Sequence, residues 1–166
     1  MKHVNFCLAA IVSLFFMSSS IKTEKIPTGY YPGEQIPNIV LSGWEGQRLD
    51  LSECKGKKVV LSFWAAYDAQ SRASNVQLYN YLKETAPDVT FLSISFDENR
   101  NVSERTALLD KIDLNSQFCD ETGVNSAIYK EFRLRQGFKN YLIDETGVIL
   151  AVGLSVEKLK ELIEVI

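Results

Sequence analysis

Cys54 and Cys119 are the two thiols of this chain placed to do redox chemistry, since a thiolate is the nucleophile of disulfide exchange. Cys54 neighbours Lys55, Lys57 and Lys58, cations of the kind that lower a thiol pKa. A pair permits a bridge without establishing one. The bland alternative is two unrelated small residues, one on a loop and one in a strand, with the three lysines a solvated turn. A second set is Tyr67, Asp68, Ser71 and Phe138. Two aromatics, a carboxylate and a hydroxyl would line a groove for a peptide or small ligand. Asp68 has a competing use as a helix N-cap, where Asp is among the best residues and its charge suits the positive helix end. Arg72 is its nearest cation, as a partner or as a solvated surface residue. Asp97-Glu98 resembles half of a metal site, but no further ligand accompanies it, and no metal is expected. His3 is the sole histidine, which excludes a histidine-centred metal site or a Ser-His-Asp triad from a chain processed after it.

The elements that must position these residues follow from the pattern of apolar positions. Residues 39–41 and 48–51 flank Ser42-Gly43-Trp44-Glu45-Gly46 and predict a short hairpin. Residues 59–64 carry only Ser62 as a polar residue, which suits a strand buried on both faces. A helix over 68–85 follows, with Val76, Tyr79 and Leu82 on one face and Pro87 closing it. Residues 89–96 alternate Leu92, Ile94 and Phe96 with Ser93 and Ser95, a strand pattern. Residues 103–114 predict a helix with Leu108, Leu109 and Ile112 inward. Residues 117–120 read as a short strand and 127–132 as one or two helical turns. Residues 141–152 read as strand, turn and strand around Glu145-Thr146-Gly147. Ser155 then caps a last helix over 156–166. The fold class is α/β, a three-layer sandwich with a mixed central sheet flanked by helices.

Length and composition are those of one globular domain: 166 residues, 46% hydrophobic and 23% charged. The net charge of −3 offers no basic footprint, so nucleic acid is not expected as a partner. No G-x-x-x-x-G-K-S/T or G-x-G-x-x-G loop occurs, and no cofactor is expected. Residues 1–20 read as a signal peptide: Lys2 and His3, an apolar run over 6–17, then Ser18-Ser19-Ser20. That run is short for a membrane-spanning helix, so no span is expected after cleavage, although an uncleaved anchor is the alternative. Cys7 lies inside the run and is poorly placed for lipidation. The expected location is therefore exported, periplasmic or extracellular, where disulfides persist. Residues 21–35 read as a tether, and 36–166 as the domain. Tyr30-Tyr31 within the tether would pack on the domain or engage a partner.

Several motifs, in order, resemble the exported TlpA/ResA-type branch of the thioredoxin-like superfamily, close to the AhpC/TSA group. Gly33-Glu34-Gln35-Ile36-Pro37-Asn38 is similar to G-x-x-A-P-x, and residues 51–57 to L-S-D-x-K-G-K. Residues 59–65 resemble V-V-L-x-F-W-A, Phe96-Asp97-Glu98 the S-x-D-E strand end, and Tyr141-Leu142-Ile143-Asp144 with Gly147 the pattern F-L-I-D-x-x-G. The resemblance implies a thioredoxin-like domain of a thiol–disulfide oxidoreductase family. It also implies where this chain departs from it. The F-W-A-x-W-C-x-x-C turn reads Phe63-Trp64-Ala65-Ala66-Tyr67-Asp68-Ala69-Gln70-Ser71, with Asp68 and Ser71 at the two cysteine positions. Tyr67 stands for the second Trp, and Ser62 for a buried acid that moves protons. The place of the cis-proline falls on Phe138. A cis bond before a non-proline residue costs about 2.5–4 kcal/mol, so a trans peptide is expected there.

Three functional readings follow. The first is a redox-inactive binding or interaction module with a protein or peptide partner. The second is a thiol–disulfide oxidoreductase or antioxidant protein acting through Cys54 or Cys119. The third is a structural role, alone or within a larger assembly. A separation of more than about 7 Å between the Cα atoms of Cys54 and Cys119 would forbid a bridge.

Overall fold

The computed structural model describes residues 25–43 and 46–165. The expected signal peptide, Cys7, and Trp44-Glu45 of the hairpin turn lie outside the described residues. A short antiparallel hairpin opens the domain, β1 (Val40–Ser42) with β2 (Arg48–Asp50). The main sheet has five strands: β3 (Val59–Trp64), β4 (Thr90–Ser95), β5 (Gln117–Cys119), β6 (Asn140–Ile143) and β7 (Ile149–Val152). Their order is β5-β4-β3-β6-β7. β3 runs parallel to β4 and β4 to β5, while β6 is antiparallel to both β3 and β7. The helices are α1 (Ala69–Thr85), α2 (Arg100–Leu109), α3 (Ala127–Glu131) and α4 (Val156–Val165).

β3 is central, and all six of its residues are buried, as its apolar run predicts. Its alternate side chains feed two cores. Val59, Leu61 and Phe63 join Leu92, Ile94 and Phe96 of the β4 region, the hairpin's Leu49, and Phe132 and Tyr141 on one face. Val60 joins Leu78 and Leu82 of α1, Leu142, Ala151 and Leu159 of α4 on the other. Ser93 points to the α1 side, where its hydroxyl donates to Asn75 Oδ1 at 2.8 Å. Polar alternation in β4 thus marks a polar contact under a helix rather than a wet face.

Three expectations are corrected. α2 begins at Arg100, capped by Asn99, and ends at Leu109 rather than Leu114. Its buried residues are Ser103, Thr106 and Ala107, while Leu108 is half-exposed and Leu109 is 77% exposed; only Ile112, beyond the helix, is buried as expected. The helix stops at Asp110, and Lys111 takes φ 58°, which turns the chain away before the expected apolar face is complete. In α1, Tyr79 and Leu82 face inward, but Val76 is only partly buried; Ser71, Asn75 and Leu78 complete the inner face. Residues 28–35, expected as tether, are docked on the domain. Gly33 N–H donates to Ile149 O at 2.8 Å, Ile149 N–H to Glu34 O at 2.9 Å, and Tyr30 packs edge-on against Phe132 at 4.9 Å. Tyr31 stays exposed.

Candidate functional site

The loop from β3 to α1 sits at the carboxyl end of the parallel strands, the usual place for chemistry in an open α/β sheet. Ala65 and Ala66 leave β3, Tyr67 turns outward at 65% exposure, and Asp68 caps α1. The Ser71 N–H donates to Asp68 Oδ1 at 2.7 Å, as the cap reading predicts. Ser71 is 7% exposed, and its hydroxyl is held locally: it donates to Asp68 O at 3.2 Å and accepts from Ala65 N–H at 3.4 Å. Both polar side chains at this helix start are therefore engaged in building the turn. Arg72 does not pair with Asp68. It grips Asp110 at the end of α2 through Nε (2.7 Å) and Nη2 (2.6 Å), a bidentate pair that ties α1 to α2.

Beneath the loop lies Asp97, 5% exposed, directly after β4. Its carboxylate accepts from Ala66 N–H at 3.0 and 3.1 Å and from the Ser95 hydroxyl at 2.6 Å. Its three hydrogen bonds pin the loop to the next strand, which is a structural use for the residue rather than a metal ligand. Among the described residues no group of three or more His, Cys, Asp or Glu could hold a metal.

Tyr67 and Phe138 are brought together, with ring centroids 6.3 Å apart. Phe138 follows Gly137, whose φ of 118° suits a residue without Cβ, and no cis peptide occurs among the described residues. Behind Phe138 stand Phe96 at 6.1 Å, stacked, and Tyr129 at 6.0 Å, edge-on. Phe138 thus closes the place facing the helix start with an aromatic cluster. On the other side of Tyr67 a shallow depression of about 460 Å³ runs along Ala69, Ala73 and Val76 of α1. Of the four proposed groove residues, Tyr67 and Phe138 share an edge, Asp68 caps the helix beside it, and Ser71 lies underneath. Tyr129 and Asp110 escape sequence reasoning, because nothing in a lone helical Tyr marks Phe138 as its neighbour, and nothing in a helix-end Asp marks Arg72 on another helix.

Cys54 and Cys119 are free and far from each other. Cys54 closes the 3-10 turn Leu51–Cys54 and packs near Val59, at the start of β3. Cys119 pairs with Ser95, whose partner is Trp64 at the opposite end of β3. Five residues along a strand span about 16 Å, well beyond the reach of a disulfide. Burial raises both thiol pKa values. The Lys57 charge offsets this in part at Cys54, and hydrogen bonding to Ser103 and Ser95 does so at Cys119. Cys119 is buried, and its thiol donates to Asp97 O at 3.4 Å. Neither environment is that of an activated thiolate.

Comparison with known proteins bears on this geometry. The AhpC/TSA family model matches residues 32–152. The chain belongs to the AhpC/TSA family. Its solved likenesses include a thioredoxin-like protein from Parabacteroides distasonis, 40% identical, with a TM-score of 0.74 over 84% of this chain and 99% of that one. Thioredoxin-like protein YneN of Bacillus subtilis is 26% identical over 84% of this chain and 81% of its own length. Thiol-disulfide oxidoreductase ResA of Halalkalibacterium halodurans is 27% identical over 81% of this chain and 76% of its own length. Within the AhpC/TSA family the chain is therefore of the thioredoxin-like, TlpA/ResA type, with the α/β sandwich expected of it. Among the described residues no helix is long and apolar enough to cross a membrane.

Proposed function

We propose that this AhpC/TSA-family protein is an exported, redox-inactive thioredoxin-like module that binds a peptide or small ligand at the Tyr67–Phe138 edge. The observation that carries the reading is the start of α1. Disulfide exchange there needs one sulfur to attack and a second to resolve, and Asp68 and Ser71 supply only oxygen. Their engagement in the helix cap gives both residues a use that does not depend on redox chemistry. The exposed Tyr67 ring beside half-buried Phe138 supports a contact surface at the same place. The basic start and apolar run of residues 1–17 support export. Reaction through Cys54 or Cys119 is disfavoured by their separation and by thiol pKa values raised through burial.

Insulin-disulfide reduction tests the reading. Turnover is expected at the dithiothreitol background. Turnover well above it that survives in the Cys54→Ser/Cys119→Ser double variant defeats the proposal outright. Turnover abolished by that double variant moves the activity to the residual thiols. Binding is tested separately with a library of short peptides: Tyr67→Ala and Phe138→Ala should each reduce capture without changing the far-UV spectrum.

A further inference from the structure

We propose that the Tyr67–Phe138 edge selects a cationic partner, a peptide that lays an arginine or lysine side chain on its aromatic rings. This ligand class refines the binding site proposed above and stands only with it. Three rings meet at the edge with surface to offer. Tyr67 is 65% exposed, and Phe138 and Tyr129 are half-buried, their centroids 6.3 and 6.0 Å apart across Phe138 from Tyr67 and from Tyr129 respectively. Phe96, fully buried, backs Phe138 in a stacked contact at 6.1 Å and holds it in place. The face of an aromatic ring is electron-rich, and it attracts an ammonium or guanidinium group placed within about 6 Å of its centroid.

The carboxylates beside the rings decide the sign of the partner. Asp68, Asp97 and Glu98 have no ion pair among the described residues. Asp68 commits one oxygen to the Ser71 N–H of the cap. Asp97 lies beneath the loop and accepts from neutral donors, Ala66 N–H and the Ser95 hydroxyl. Glu98 follows it, exposed, with its Cγ against Gly123, where a Cβ would stand 2.7 Å away. Burial raises the Tyr67 hydroxyl pKa, and Tyr129, Asp97, Asp68 and Glu98 raise it further, so the charge felt at the exposed ring is negative. The neighbouring guanidinium groups are committed, Arg72 to Asp110 and Arg100 to Glu121 at 2.9 Å. Lys139, next to Phe138 in sequence, and Lys130, whose Nζ donates to Asn125 O at 2.7 Å, are left, two positive charges against three negative ones. The balance at the edge is negative and complements a cation.

The test uses the full chain and ligand-observed NMR with three forms of the peptide Gly-Ala-Xaa-Ala-Gly, carrying arginine, its neutral isostere citrulline, or glutamate at the centre. Saturable binding of the arginine form is expected, with citrulline weaker by about tenfold and glutamate weaker still. Tyr67→Ala should cost the arginine form about tenfold, whereas Tyr67→Phe, which keeps the ring, should leave it unchanged. Asp68→Asn/Glu98→Gln removes two charges, keeps both shapes and retains a capping residue, and should bring the arginine and citrulline forms to equal affinity. Should that variant not fold, by its far-UV spectrum, salt decides on the parent: raising it from about 20 to about 500 mM must weaken the arginine form and leave citrulline unchanged. Citrulline bound as tightly as arginine by the parent overturns the cationic ligand and leaves the binding edge itself standing. An arginine preference unmoved by the charge removal, or by salt where salt decides, overturns it as well. So does the absence of saturable arginine binding, while the peptide-library capture above judges the edge separately.

Discussion

Asp68 has one measurable consequence that is independent of any function. Its carboxylate is the N-cap of a seventeen-residue helix, hydrogen-bonded to Ser71 N–H at 2.7 Å. Asp68→Ala should therefore lower stability by about 0.5–2 kcal/mol, and Asp68→Asn should retain most of it. Urea denaturation reads the difference, and an unchanged midpoint for Asp68→Ala would show the cap contributes nothing. The neighbouring residues behave consistently. Ser71 is too buried to meet a ligand, so the recognition proposed for this edge falls to Tyr67 and Phe138.

At the scale of elements, the proposed absence of a thiol pair at the start of α1 can be tested by supplying one. Asp68 and Ser71 stand one turn apart at the helix N-terminus, already joined by a backbone-to-side-chain hydrogen bond. Asp68→Cys/Ser71→Cys should form an internal disulfide under oxidising conditions. Once reduced, its first thiol should react faster than a free cysteine, because the positive helix end lowers its pKa below about 8.5. Only weak insulin reductase turnover is expected, since Phe138 and its aromatic neighbours occupy the facing loop. Adding Phe138→Pro should raise that turnover. Failure of the double variant to lose two thiols on oxidation, by thiol titration, would mean that these two positions do not correspond to a cysteine pair.

Across the whole molecule, one buried hydroxyl bears on the alkaline limit of the fold. Tyr141 is fully buried between β3 and β7, and its hydroxyl has no hydrogen-bond partner among the described residues. Burial pushes its pKa from an ordinary 10 up to about 12. A raised folded pKa means stability that is complete below pH 10 and lost as pH rises from 10 towards about 12. Tyr141→Phe should remove this alkaline loss. At neutral pH it should also raise stability by about 1 kcal/mol, because a desolvated hydroxyl without a partner disappears. Thermal melts of parent and variant from pH 7 to 11.5 (roughly the span of that ionisation) check both statements. Parallel curves at every pH would refute the assignment to Tyr141.

The sequence by itself determined the strands and the helix cap, because each depends on residues close together, and the family, because its motifs are read in order along the chain. Six apolar-dominated residues from Val59 specify a strand covered on both faces, and β3 is buried throughout. An Asp just before an amphipathic segment specifies a cap, and Asp68 is one. Tertiary structure alone decided which helix faces are covered and which polar groups meet. Periodicity promised an inward Leu108 and Leu109, but the chain turns at Asp110, and Ser103, Thr106 and Ala107 are buried instead. Arg72 had Asp68 four residues away and took Asp110, thirty-eight residues on, where two oxygens accept its planar fork. Asp97 pins Ala66 across thirty-one residues, and a cleft beside Cys54 draws its lining from Lys25 to Gly147. Local sequence fixes backbone preference and the existence of an apolar face. The partner of a long side chain and the shape of a cavity depend on distances that exist only once the sheet and helices have packed.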